Sequence, residues 1–343
     1  MRWRRSGIPL PPAEPTPEEV FRRRRALLKA MGLAGMAGAV GPLLAACDLW
    51  GGETRQVEDT LVELRTLRSK PSPSFGPDRL DRAVTERRAT AVVNNFYEFT
   101  TGKDVWRHVE NFVTRPWRFE IGGLVERPVA FNVADIVAAT ALGDLEERLY
   151  RFRCVEAWAM AVPWIGVPFR RVIEAARPRP EARYVRLLSF LRPEQAPGQL
   201  PGTPYLRLWP YFEGLTLPEA MNETAFLAVG MYGHELPRQS GAPVRLVLPW
   251  KYGYKGPKSI TRIELTSERP PTFWNALAPD EYDFWSNVDP DTPHPRWSQA
   301  TERMLGTGER RPTLHFNGYG EFVAGLYAGL DKDDPRYGFG LHA

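Results

Sequence analysis

The clearest alternation in the chain runs from Arg148 to Val155. Tyr150, Phe152 and Cys154 fall on one side of a two-residue period, and Leu149, Arg151, Arg153 and Val155 on the other. Successive side chains of an extended segment point to opposite faces, so this stretch reads as a β-strand that ends at the cysteine. Phe169, Val172, Ile173 and Ala176 recur at helical spacing instead, and Pro178 stops that helix. Residues 184–189, 225–231, 244–248 and 259–266 are further strand candidates. Asn132, ahead of Val133-Ala134-Asp135-Ile136, is a candidate N-cap. Beyond Cys154 the aromatic, proline-bounded run to Trp164 reads as a loop. Strands with occasional short helices, and no regular strand–helix–strand repeat, make the fold α+β.

The first 46 residues follow a different logic. Arg24-Arg25-Ala26-Leu27-Leu28-Lys29 resembles a twin-arginine export motif, and the 17 residues from Ala30 to Ala46 carry no charge. At about 1.5 Å per residue that run reaches roughly 25 Å as a helix, short of the ~30 Å hydrocarbon core of a bilayer. Gly32, Gly35, Gly38, Gly41 and Pro42 weaken such a helix further. An export signal over residues 1–46 is therefore expected rather than a permanent span, which places the mature chain in the periplasm. Leu44-Ala45-Ala46-Cys47 resembles a lipobox, which would make Cys47 a lipid-bearing N-terminus. Residues 47–90 read as a tether and N-terminal wrap, and residues 91–343 as one large domain.

Composition sharpens this picture in three places. Hydrophobic residues make up 43% and charged residues 25%, which excludes wholesale disorder and a multi-span membrane protein. The net charge of +4 belongs to the leader, which holds eight of the 45 bases and three of the 41 acids; the remainder has 37 bases against 38 acids and no nucleic-acid footprint. With Cys47 at the leader junction, Cys154 is the one cysteine of the body, so no internal disulfide can form. The five histidines are dispersed, and HExxH, CxxC, Walker A, GxGxxG and GxSxG patterns are absent. Zinc, nucleotide and serine-hydrolase chemistry lose their usual signatures.

Candidate chemistry centres on Cys154. The end of a strand is a rigid platform for a ligand atom, and Arg151 and Arg153 point away from the thiol face, so they are poor candidates for activating it. A buried inert thiol is the plain alternative. Lys251-Tyr252-Gly253-Tyr254-Lys255-Gly256-Pro257-Lys258 offers three lysines between glycines, suited either to a phosphate or to a solvated basic turn. Arg245, between Val244 and Leu246, faces away from the core or lies on the surface.

Around these residues the chain closely resembles the catalytic subunits of molybdopterin-dependent protein-methionine-sulfoxide reductases. The resemblance is carried by Arg151-Phe152-Arg153-Cys154-Val155-Glu156-Ala157-Trp158, Asn94-Asn95-Phe96-Tyr97-Glu98, Gly241-Ala242-Pro243-Val244-Arg245, the Trp250 to Gly256 segment, and His294-Pro295-Arg296-Trp297-Ser298-Gln299. It runs collinearly over about residues 80 to 332. It implies a sulfite-oxidase-type molybdopterin-binding fold, mixed sheets with short helices and long loops, and one molybdenum-molybdopterin per chain. Cys154 is then the protein ligand to the metal, a role suited to a soft thiolate. Cofactor contacts map to Asn94, Tyr97, Glu98, Ser189, Ser240, Arg245, Gly256, Pro257 and Lys258. Ser189 stands where threonine is usual and Ser240 where asparagine is usual. The second change shortens an amide that both donates and accepts.

The resemblance implies reduction of methionine sulfoxide in oxidised periplasmic proteins by oxygen-atom transfer. A haem-containing membrane subunit would return electrons to a monomeric catalytic subunit. Membrane contact comes through that partner and through a lipid on Cys47. Sulfite-oxidase-like chemistry and small-molecule sulfoxide or N-oxide reduction are the enzymatic alternatives; a cofactor-free scaffold is the non-enzymatic one. Against sulfite stands Glu156, two residues from the thiolate, because like charges 4 Å apart interact by about 4 kcal/mol at an effective dielectric near 20. Glu156 is accordingly a candidate for substrate selection or proton handling.

Overall fold

The computed structural model describes residues 56–203, 205 and 208–329. The expected export signal over residues 1–46, the Cys47 junction and the start of the expected tether lie outside these residues. In chain order the strands are β1 (Lys70–Pro71), β2 (Arg118–Gly123), β3 (Val129–Asn132), β4 (Glu146–Arg153), β5 (Trp158–Pro168), β6 (Tyr184–Leu188) and β7 (Phe212–Thr216). There follow β8 (Phe226–Met231), β9 (His234–Glu235), β10 (Arg245–Val247), β11 (Arg262–Thr266), β12 (Thr301–Met304) and β13 (Arg310–Pro312). They form an eight-stranded sheet around β4 and β5 and a five-stranded sheet ordered β3-β2-β11-β6-β7. Short helices and long connections fill the rest, an α+β architecture. Among the described residues no helix is long and apolar enough to cross a membrane.

β5 is the spine of the larger sheet, and the expected loop over this stretch is wrong. All eleven of its residues are buried. Its start pairs with β12 in parallel, its end with β8 antiparallel, and Ala159 to Gly166 with β4 antiparallel. A strand covered on both faces has no polar side to alternate with, so Trp158 to Pro168 shows no two-residue period. Only residues 154–157 form the turn between β4 and β5.

β4 shows the same double coverage. The face carrying Arg151 and Arg153 is buried as well, under residue 81 and the 299–319 region. Each arginine is compensated: Arg148 by Glu146 at 2.7 Å, Arg151 by Asp81 at 2.9 Å and Arg153 by Glu302 at 3.2 Å. Burying Phe169, Val172, Ile173 and Ala176 docks the helix Phe169–Ala176, as its spacing predicts. Arg177 then turns left-handed ahead of Pro178. Asn132 does occupy the N-cap position, but its side chain bonds Asp135 Oδ2 at 3.0 Å instead of a backbone N–H.

From residue 56 onward the N-terminal stretch is a wrap more than a tether. β1 adds to β4 in parallel register, and Val57 and Phe75 are each 2% exposed. Arg82 bonds Glu302, tying the wrap to β12.

Candidate active site

Cys154 owes its position to a tight turn. Its N–H donates to the Trp158 carbonyl at 2.9 Å, and its own carbonyl accepts from Ala157 N–H at 3.0 Å. Ala157 closes the turn at φ +65°. The loop is braced from behind: Trp297 Nε1 and Gln299 Nε2 donate to the Val155 carbonyl at 2.7 and 2.8 Å, and Arg153 Nη1 donates to the Cys154 carbonyl. The sulfur is thereby fixed at the wall of a cleft of about 800 Å³, part of it open to solvent.

Nine of the residues expected at the site line this cleft: Cys154, Glu156, Asn94, Tyr97, Glu98, Arg245, Gly256, Pro257 and Lys258. Ser189 and Ser240 do not. They stand behind the lining, where Ser189 Oγ donates to the Lys258 carbonyl at 2.7 Å and the Ser240 carbonyl accepts from Arg245 Nη1 at 3.0 Å. Ser240 therefore acts through its backbone carbonyl.

The three lysines of the 251–258 segment separate. Lys251 pairs with Glu219 at 2.5 Å and Lys255 with Glu213 at 3.1 Å, all four side chains essentially inaccessible. Only Lys258 faces the cleft. The segment is neither a solvated turn nor a three-lysine cradle. Two glycines let it close against the sheet. A Cβ on Gly253 would fall on the Phe152 ring, and one on Gly256 on the Leu246 carbonyl oxygen.

Arg245, 3% exposed, is not a surface arginine. Its residue bridges Lys258 across an antiparallel pair, so two cations share one wall. Arg245 Nη2 is buried without a hydrogen-bond partner, and burial pushes the guanidinium down to about 9. Burial, helped by the Arg245 charge, likewise pushes Lys258 down, to about 7. It raises buried Glu98 to about 7, against the pull of Lys258. A wall with a donor left over and more cation than carboxylate is incomplete without an anion. The phosphate of a pterin cofactor meets that requirement, and Cys154 offers the soft donor for its metal. The residues fit the group.

Electrostatics around the sulfur involve two residues that the sequence reading did not single out. Asn95 Nδ2 lies 3.4 Å from Cys154 Sγ and 3.2 Å from Glu156 Oε2, and Lys103 Nζ bonds both Asn95 Oδ1 and Glu156, the latter at 2.6 Å. Burial and the Glu156 charge push the thiol up to about 12 in the absence of a metal. Burial also works against the Glu156 carboxylate, but Lys103 and hydrogen bonds from Lys103, Asn95 and Trp158 outweigh it and hold Glu156 below the usual carboxylate range. The carboxylate is thus ion-paired, and its repulsion of sulfite is largely offset. Aromatic and apolar side chains also line the cleft: Trp158, Met160, Tyr211, Trp274 and Tyr282.

Comparison with known proteins agrees with this geometry. Residues 107–274 match the family described as the oxidoreductase molybdopterin binding domain, which defines the class of protein. The protein-methionine-sulfoxide reductase catalytic subunit MsrP of Gluconobacter oxydans is 45% identical over 326 residues, 93% of this chain and 95% of that protein. The protein of the same name from Burkholderia mallei is 43% identical over 331 residues, 95% of each. The chain belongs to the family of protein-methionine-sulfoxide reductase catalytic subunits. Among solved structures, the sulfane dehydrogenase SoxCD from Paracoccus pantotrophus aligns at 16% identity and a TM-score of 0.43, over 81% of this chain and 63% of that one. The assignment rests on the first three.

Proposed function

We propose that this protein reduces methionine sulfoxide in exported, oxidised proteins to methionine. The observation that carries the reading is the joining, in one cleft, of Cys154 Sγ with Lys258 and with Arg245, whose buried Nη2 has no hydrogen-bond partner. Cys154 would be the thiolate ligand to molybdenum. Arg245 and Lys258 would hold the phosphate, while Asn94, Tyr97, Glu98, Gly256 and Pro257 would line the pterin. Bound there, molybdenum-molybdopterin supplies two-electron oxygen-atom exchange with a sulfoxide.

The remaining work falls to the chain. Trp158, Met160, Trp274 and Tyr282 receive a side chain that leaves as a thioether, and aromatic faces favour sulfur contacts. Glu156, kept ionised by Lys103, is an acceptor at the cleft rather than an acid. Turnover consumes two electrons and two protons per sulfoxide and releases water. The product regains a flexible apolar side chain.

The electron donor in this reading is a haem-containing membrane subunit, and the site of action is the periplasm. The twin-arginine-like Arg24-Arg25 pair and the uncharged run to Ala46 support export of the folded chain, with Cys47 as a lipid attachment point. Molybdenum analysis of the purified protein, followed by reduced-dye turnover on oxidised protein and on free sulfoxides, tests the reading. Stoichiometric metal and preference for protein-bound methionine sulfoxide are expected. A metal-free protein, or Cys154→Ser with metal and activity intact, would overturn it. Replacing Arg24 and Arg25 by lysine should leave the chain in the cytoplasm.

A further inference from the structure

Four polar groups close a ring beside the sulfur. Asn95 Nδ2 contacts Cys154 Sγ at 3.4 Å and Glu156 Oε2 at 3.2 Å, Lys103 Nζ contacts Asn95 Oδ1 and both Glu156 oxygens at 2.6 and 2.8 Å, and Glu156 N–H reaches Sγ at 3.5 Å. An asparagine amide has two chemically opposite ends that exchange on a half-turn. Lys103 has donors only, so the end of Asn95 that it touches must be the carbonyl. The amide N–H₂ is thereby turned toward the sulfur. Glu156 Oε2 lies 3.9 Å from Sγ and also accepts from Trp158 Nε1 at 3.1 Å, so without the Lys103 cation a carboxylate held only by neutral donors would stand against the metal ligand.

We propose that Lys103 is a positioning residue of the metal site, which presents the Asn95 amide to the Cys154 sulfur as a hydrogen-bond donor and neutralises the Glu156 carboxylate beside it. This rests on the molybdenum reading of the same cleft. A hydrogen bond to a thiolate draws negative charge off the sulfur, and a neutralised carboxylate adds none. Both ease reduction of a metal held there. Lys103 itself is 42% exposed at the rim, so its replacement should not unfold the chain.

The test compares holoprotein carrying Lys103→Met or Lys103→Arg with wild type by EPR-monitored redox titration of the molybdenum. Lys103→Met should lower the midpoint potential by about 59 mV, a tenfold change in a one-electron equilibrium, and alter the Mo(V) spectrum at unchanged metal content. Lys103→Arg, which keeps charge and donors, should restore both. A wild-type midpoint and spectrum in Lys103→Met overturn the proposal. A crystal structure of Lys103→Met decides the geometry whatever the metal content: the Asn95 amide should swing from Sγ, and a contact kept at its wild-type length also overturns the proposal. Absence of molybdenum from wild type would sink the functional reading instead, leaving the crystallographic arm to judge Lys103.

Discussion

The hydroxyl of Ser189 donates to the carbonyl of Lys258 at 2.7 Å, joining the end of β6 to the turn that carries the cleft's cationic wall. The two residues are 69 apart in sequence and belong to different structural layers. Through this contact a residue outside the cleft sets where Lys258 sits. It also accounts for serine at a position where the family resemblance leads one to expect threonine, because the hydroxyl is the part that is used.

Ser189→Ala removes that hydrogen bond and leaves the Lys258 carbonyl unsatisfied. A bond of this kind is worth about 0.5–1.5 kcal/mol, so cofactor affinity should fall roughly two- to tenfold. Ser189→Thr should retain wild-type occupancy. Molybdenum and pterin content of the three proteins, purified in parallel, checks the comparison.

Arg245 sets function against stability. Its buried Nη2 has no partner, so in cofactor-free protein it contributes a desolvation cost. Arg245→Met should abolish cofactor retention while stabilising the cofactor-free protein by about 1–3 kcal/mol. Denaturant melts of the apo forms, read beside pterin content, measure both effects.

These two residues also show what could be read from the chain. Period-two alternation was enough to end a strand at Cys154, and collinear segments brought Asn94, Tyr97, Glu98 and Arg245 to the same cleft. β5 stayed hidden because a strand buried on both faces carries no polar marks. Lys251 and Lys255 looked like Lys258 because composition cannot reveal that Glu219 and Glu213, more than 30 residues away, neutralise them. Asn95 lay within a quoted segment, but only three-dimensional contact separates it from Asn94, whose amide is spent on the Thr90 and Ala91 carbonyls. Lys103 had no signal in the sequence at all.

Gly256 is a position where backbone approach, not side-chain chemistry, maintains the site. A methyl there would meet the Leu246 carbonyl oxygen, so the turn and β10 must separate. Gly256→Ala should displace Pro257 and Lys258 and lower molybdenum content severalfold, with only a modest loss of melting temperature. An unchanged metal content would show that the turn can shift without disturbing the wall.

His294 makes stability depend on pH. Burial and the neighbouring Arg296 charge push its imidazole down to about 4 from an ordinary 6.5. The ring stacks on Trp297 at 4.0 Å, and its Nδ1 accepts from Arg296 N–H at 3.2 Å, which requires an unprotonated nitrogen there. The folded-state value is depressed, so the contribution is complete above about pH 6.5 and is lost as the pH falls toward 4. His294→Gln is neutral throughout. Melting temperatures of the two proteins should therefore converge, or cross in favour of the variant, between pH 7 and pH 5; a constant difference would contradict the assignment.

The Lys251–Glu219 pair separates a structural cation from a functional one. Both side chains are inaccessible, and Lys251 Nζ also donates to the Trp285 carbonyl at 2.7 Å and to Asn287 Oδ1 at 2.8 Å. Glu219 in turn caps its own helix through Thr216 and accepts from Tyr327 at 2.7 Å. Lys251→Met strands the carboxylate among these groups, and breaking a buried pair from one side costs about 3–5 kcal/mol. The loss should appear in denaturant melts of cofactor-free protein. Lys258→Met, by contrast, removes a cation that faces the cleft, so it should spare stability and lower molybdenum content. If Lys251→Met left the fold intact and lost only cofactor, the division of labour among these lysines would be wrong.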